Sequence, residues 1–144
     1  MVASAAWRYR VGVAGAPDRV AIGELRCRAF GRAREFHWID DAALRWSAAD
    51  DAGTVVALCD RDRLPLSTVR GTVFGELGTA EHFLEYSLAG MRIATPTLVM
   101  SRAATCPDHA RQGLLALVRY ACLQAVARTT IGSVITGVVK MRFW

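Results

Sequence analysis

Lysine is almost missing from this chain: Lys140 is the only one, and every other one of its 18 basic residues is arginine. GC-rich coding gives such a bias as readily as function does, yet the guanidinium fork suits carboxylate and phosphate groups. The arginines are scattered, with no basic run and no interleaved aromatics, so a formal net charge of +5 does not amount to a nucleic-acid footprint. No CxxC pair exists among Cys27, Cys59, Cys106 and Cys122, and His37, His82 and His109 have no ligand spacing. Free thiols in a reducing cytoplasm are therefore expected, with neither a disulfide framework nor a metal site. Long apolar runs are lacking too. Arg8 and Arg10 interrupt the start, so no signal peptide is expected, and Arg119, Gln124 and Arg128 break the last helix, which excludes a membrane span there. There is no Walker motif and no GxGxxG, which removes the usual support for nucleoside triphosphates and dinucleotides.

What is present is 144 residues, 53% hydrophobic and 22% charged, enough for one domain with a real core. Trp7, Tyr9, Val11 and Val13 alternate with Arg8 and Arg10, predicting a half-buried strand. Pro17 and Asp18 then open a helix through VAIGELRCRAFGRA. A second helix is expected over DDAALRWSA. GTVVALCD and LSTVRGTVFG, joined by the polar RDRLP, read as a hairpin. A helix over ELGTAEHFLEYSL and a buried strand from Thr95 to Cys106, ended by Pro107, come next. A helix from Arg111 to Thr129 and the strand IGSVITGVV close the chain. The order β-α-α-β-β-α-β-α-β predicts an α+β, three-layer domain: a mixed sheet, parallel at its end, with helices on both faces.

CPDHARQGLLALVRYACL, Cys106 to Leu123, places Arg111, Gln112 and Gly113 where a helix begins after a buried strand. Backbone N–H groups and the positive end of a helix converge on anions at such a point, and a glycine lets the ligand approach the backbone. An ordinary strand-to-helix connection has the same composition, so the loop alone does not decide.

Read in its context, the stretch resembles the acyl-CoA loop of the GNAT N-acyltransferase superfamily, R/Q-x-x-G-x-G/A after a buried strand. Gly113 matches the first glycine of that pattern, while Ala110 and Leu115 depart from its first and last positions. ELRCRAFG, STVRGTVF and LVMSRAATCP are similar to segments of long-chain N-acyl amino acid synthases and acyl-homoserine-lactone (autoinducer) synthases, with Arg70 and Arg102 matching their strand arginines. Leu98 and Val99 occupy the region where autoinducer synthases carry an acid, which favours the N-acyl amino acid side.

The resemblance implies one GNAT-like domain over 1–144 that moves an acyl group from acyl-CoA or acyl-phosphopantetheine, carried by an acyl carrier protein, to a small amine such as an amino acid. It implies no metal. The donor would lie along Ala103 and Ala104, with its phosphates over Arg111, Gln112, Gly113, Leu114 and Leu115. Arg70 and Arg102, cations inside apolar strands, are candidate catalytic residues because each needs a buried partner or a cleft. Glu76 is a candidate base, although a wet helix face explains it and its neighbours more simply. Arg28 and Trp38 are candidate acceptor contacts. Arg26, two residues from Arg28, should face another side of the helix. The family continues past its fifth strand, whereas this sequence stops at GVVKMRFW. Two alternatives therefore stay open: a non-catalytic module that binds an acyl carrier or CoA, and an autoinducer-type synthase. A homo-oligomer completing the fold is a third expectation.

Overall fold

The computed structural model describes residues 8–31, 40–127 and 130–136. Five strands form one sheet in sequence order: β1 (Arg10–Val13), β2 (Thr54–Cys59), β3 (Pro65–Phe74), β4 (Thr97–Thr105) and β5 (Ser133–Ile135). The first three pairings are antiparallel and the last, β4 with β5, is parallel. The expected mixed sheet is present.

Helices cover both faces. Along β3, Gly71 approaches Cys122 of α5 (Leu114–Val126), while its neighbour Arg70 faces Asp50 of α3 (Ala48–Ala52) on the opposite side. Helix α1 (Arg19–Gly31) shares that second side, where Ile22 packs on Val55 and Ala57. Leu114, Val118 and Cys122, spaced four apart, put one stripe of α5 into the main core against strand residues such as Val56, Leu58 and Val69.

Several expected boundaries move, each for a local reason. DDAALRWSA is not one helix: α2 (Asp41–Leu44) stops and α3 restarts after Ser47. The Ser47 N–H donates to Asp50 Oδ2 at 2.9 Å, a capping bond that outcompetes helix continuation. Helix α4 (Leu77–Leu84) ends early at Glu85, which takes a left-handed φ of 50°, and Glu81 accepts the Leu88 N–H at 2.7 Å. The first strand was expected to be half-buried, yet Val11 and Val13 are 45% and 63% exposed. They stand opposite Leu58 and Val56 of β2, on the edge strand of the sheet. The alternation showed which side faces inward, not how much of an edge strand is covered.

A side chain at Gly71 has no room, since a Cβ there would meet Cys122 Sγ and Leu98 Cδ1. Gly71→Ala is expected to cost about 1–3 kcal/mol in urea denaturation. Combining it with Cys122→Ala should recover part of that loss, and strictly additive costs would show that the two positions do not meet.

Candidate functional site

Between α1, α3 and the sheet lies a buried charged cluster. Arg26 of α1 is wholly buried, and its two terminal nitrogens donate to Asp50, Nη2 to Oδ1 at 2.8 Å and Nη1 to Oδ2 at 3.1 Å. Arg70 of β3 lies 3.6 Å from Asp50 Oδ1, and its Nε donates to the Ser101 hydroxyl of β4 at 3.2 Å. The Phe83 ring of α4 covers the Arg70 guanidinium from 5.4 Å, a cation–π contact. Arg102, next to Ser101, is half-buried and makes no hydrogen bond or ion pair among the described residues.

The electrostatics follow from this crowding. Burial lowers the Arg70 pKa; Arg102 and Arg26 push the same way and Asp50 opposes them. Arg102 is lowered by burial first, then by Arg26, again with Asp50 opposing. For Asp50, burial alone would raise the pKa, but hydrogen bonds from Arg26 and Ser47 and the charges of Arg26 and Arg70 hold it below the usual carboxylate value. A carboxylate gripped in this way is a weak base.

Strand β4 is irregular at this place. Thr68 pairs with Ala104 and Arg70 with Ser101, so Val69 faces two residues where one would fit. Arg102 takes a φ of 53°, left-handed for a non-glycine residue inside a strand. Such a bulge bends the strand and leaves a backbone group without a ladder partner, and holding the backbone there costs of order 1–3 kcal/mol. On the other edge, β4 pairs with β5 only through Thr97, Leu98 and Val99. From Met100 to Thr105 that edge has no partner among the described residues.

The strand leads into the glycine loop. A 3₁₀ turn, Pro107–His109, follows Cys106, and Gly113 then serves as the N-cap of α5 with a φ of 76° and open space where a Cβ would stand. The helix therefore starts three residues later than expected. Arg111 is also left-handed, with a φ of 63°, and is exposed. No side chain caps α5, so its first amides are free to meet an anion. His109 Nδ1 and Gln112 Oε1 lie 3.3 Å apart across the loop.

Solved structures share this fold. An acetyltransferase from Trypanosoma brucei superposes with a TM-score of 0.58 at 12% identity, covering 92% of this chain and 84% of its own. The aminoglycoside N-acetyltransferase AAC(6')-Iy, solved in complex with CoA, gives 0.64 at 9% identity, covering 92% and 78%. Glucosamine-6-phosphate N-acetyltransferase from Arabidopsis thaliana gives 0.59 at 8% identity, covering 93% and 84%. The fold is that of the GNAT acetyltransferases. No protein-family model and no curated protein matches the sequence.

Within this GNAT fold the expected site residues divide. Arg70 lies in the charged cluster, and Arg102 stands on β4 directly after Ser101, the residue that accepts from Arg70. Ala103 is half-buried and Ala104 buried on β4, and Arg111, Gln112 and Gly113 are exposed on the loop, with Leu114 turned into the core. Leu115 is half-buried against that core. Arg28 stands exposed on α1, and Arg26 takes the buried place instead. The reason is periodicity: Arg26 is four residues from Ile22 and shares its inward face. Glu76 is exposed at the start of α4, two residues past the end of β3 and at the opposite end of the sheet from the glycine loop. It does not join the cluster. Trp38 lies outside the described residues. Trp46 is half-buried under Arg19, with its Nε1 donating to Asp51 at 2.9 Å.

Asp50, Ser101 and Phe83 complete the cluster without having been singled out. The signal for Asp50 was indirect: cations inside apolar strands demand a carboxylate, and SAADDAG supplies two candidates directly before the most apolar strand. Because Asp50 is held below its usual pKa, its stabilising contribution is complete above the unfolded value and is lost as pH falls below about 4. Asp50→Asn is expected to cost about 3–5 kcal/mol at neutral pH, through two uncompensated guanidiniums. Its stability should also change less than that of the wild type between pH 4 and 2, as followed by circular dichroism.

Proposed function

We propose that this protein is an N-acyltransferase that moves an acyl group from a thioester donor, acyl-CoA or acyl carrier protein, to the amine of a small acceptor bearing a carboxylate. The observation that carries the proposal is the layout of β4. One strand runs through a strained bulge, beside the buried Arg26–Asp50–Arg70 cluster, into a glycine-capped helix mouth.

The donor phosphates would rest on the free amides after Gly113 with Arg111 beside them. The thioester arm would lie along the β4 edge at Ala103 and Ala104, where backbone groups would accept and donate hydrogen bonds as a neighbouring strand does. That CoA complexes exist for proteins of this fold supports the assignment. The acceptor carboxylate would be held by Arg102 and Arg70, with Arg26 and Asp50 positioning Arg70 from behind. A nearby excess of positive charge favours the neutral form of an amine, which is the nucleophilic one. The amine attacks the thioester carbonyl, the C–S bond breaks, and the thiol leaves as the amide forms. Alignment of two bound reactants supplies roughly 7–11 kcal/mol of the barrier reduction. The amine's proton would pass to water, since Asp50 is tied up and Glu76 is remote.

An amino-acid acceptor fits the N-acyl amino acid synthase resemblance. The autoinducer alternative fits less well, because a cationic sulfonium substrate would meet a cluster already in cationic excess. Purified protein should release free thiol from acyl-CoA or carrier-bound donor in the presence of an amino acid. Arg111→Ala is expected to raise the donor KM about tenfold with a smaller effect on kcat, one charge-assisted contact being worth about 1.5 kcal/mol or more. Absence of thiol release with either donor class across an amino-acid panel would overturn the proposal.

A further inference from the structure

Strand β1 lies at one edge of the sheet and pairs only with β2 among the described residues. The Ala14 N–H donates to the Val55 carbonyl at 2.8 Å, so Ala14 turns its backbone toward β2. Backbone direction alternates along an antiparallel strand, so Arg10 and Gly12 face β2 as well. The N–H and C=O groups of Val11 and Val13 therefore point away from the sheet, and both side chains are exposed. On α5, Arg119 reaches the Thr136 carbonyl just past β5, at the opposite edge of the sheet. Leu117 stands about 200° around the helix from Arg119, so this 50% exposed side chain is on the β1 side of α5.

An edge with outward donors, outward acceptors and apolar side chains accepts another strand. The charges select which one. Arg8 and Arg10 stand exposed at the start of β1, and Asp18 lies in the turn after its end. Antiparallel pairing with an identical strand sets a basic start against an acidic end on both sides of a two-fold axis. We propose that this chain pairs with a second copy of itself through β1, antiparallel about Gly12, joining two five-stranded sheets into one. Val11 then meets the partner's Val13 and Val13 the partner's Val11, two β-branched pairs that exchange the outward hydrogen bonds. Gly12 stands opposite the partner's Gly12, with open space where a Cβ would be. Arg10 faces the partner's Ala14, and Arg8 faces the partner's Ala16 in the turn that holds Asp18. Centring on Val11 instead would bring the two Arg10 residues within about 7 Å along the strand, whereas centring on Gly12 keeps them about 14 Å apart. The pairing does not rest on the acyltransferase proposal.

A strand this short buries less than a standard interface, so the dimer should be reversible, with a Kd on the order of 10 μM. Sedimentation equilibrium of the whole chain should show the mass rising from monomer to dimer with concentration. Val13→Pro removes an outward donor and none that β2 receives, so it should stay monomeric with the far-UV circular dichroism of the wild type. Gly12→Cys tests the register without removing a contact, because its thiol would face its own copy across the axis. Under mild oxidant it should form a disulfide-linked dimer about tenfold faster or more than Gly78→Cys, an equally open glycine on α4. A wild type that is monomeric at every concentration would overturn the proposal, and Arg8 and Arg10 would then be charges that keep the edge unpaired. A dimer that survives Val13→Pro, or equal cross-linking of the two cysteine variants, would place the contact elsewhere and overturn it too.

Discussion

A carboxylate shared between two guanidiniums, Asp50 between Arg26 and Arg70, ties together three elements far apart in the chain. Buried ion pairs add little net stability relative to apolar packing, but removing one partner is expensive. That asymmetry makes the pair a registration device. Helix α1, helix α3 and strand β3 are held in one relative position, because any other strands a charge. The neighbouring geometry depends on it: Phe83 stacks on an arginine that Asp50 has already oriented, and Ser101 meets the same side chain from β4. The close approach of Gly53 to the Gly71 carbonyl and to the Arg70 stem follows from the same tight junction.

Strand β4 then carries two different environments to one place. Its bulge holds Arg102 in a left-handed conformation next to Ser101, which meets Arg70. The same irregularity lies next to Ser101, so the bulge and the charged cluster adjoin. Further on, the strand ends in a loop with two left-handed residues, Arg111 and Gly113, that present helix amides to solvent. Strained backbone in both places is the kind of cost that a fold keeps where a ligand must be approached closely.

Much of the site was legible, and the misses have physical causes. The glycine loop could be read because a helix mouth after a buried strand has a local signature in Pro107 and Gly113. Arg70 and Arg102 could be read because a cation within an apolar strand breaks the pattern around it. Arg28 was preferred to Arg26 although helical periodicity puts Arg26 on the face of Ile22, so this miss lay in weighting the residues rather than in missing information. Asp50 was harder. Its partners are 24 and 20 positions away, and DDAALRWSA reads as one helix until the Ser47 cap is seen to split it. The bulge had no sequence signature, since a left-handed arginine followed by two alanines looks like any other strand.

Alternation and punctuation in the sequence determined the element order, the mixed sheet with a parallel last pair, and the position of the glycine-capped helix start. These rest on interactions within a few residues: side-chain period, proline and glycine geometry, and local capping. The tertiary structure alone decided which arginine is buried, which acid answers it, where β4 bulges and that Glu76 stands apart. Each of those depends on charges and backbone groups brought together across the sheet, and the energy of burying a charge is set by neighbours that sequence distance does not reveal.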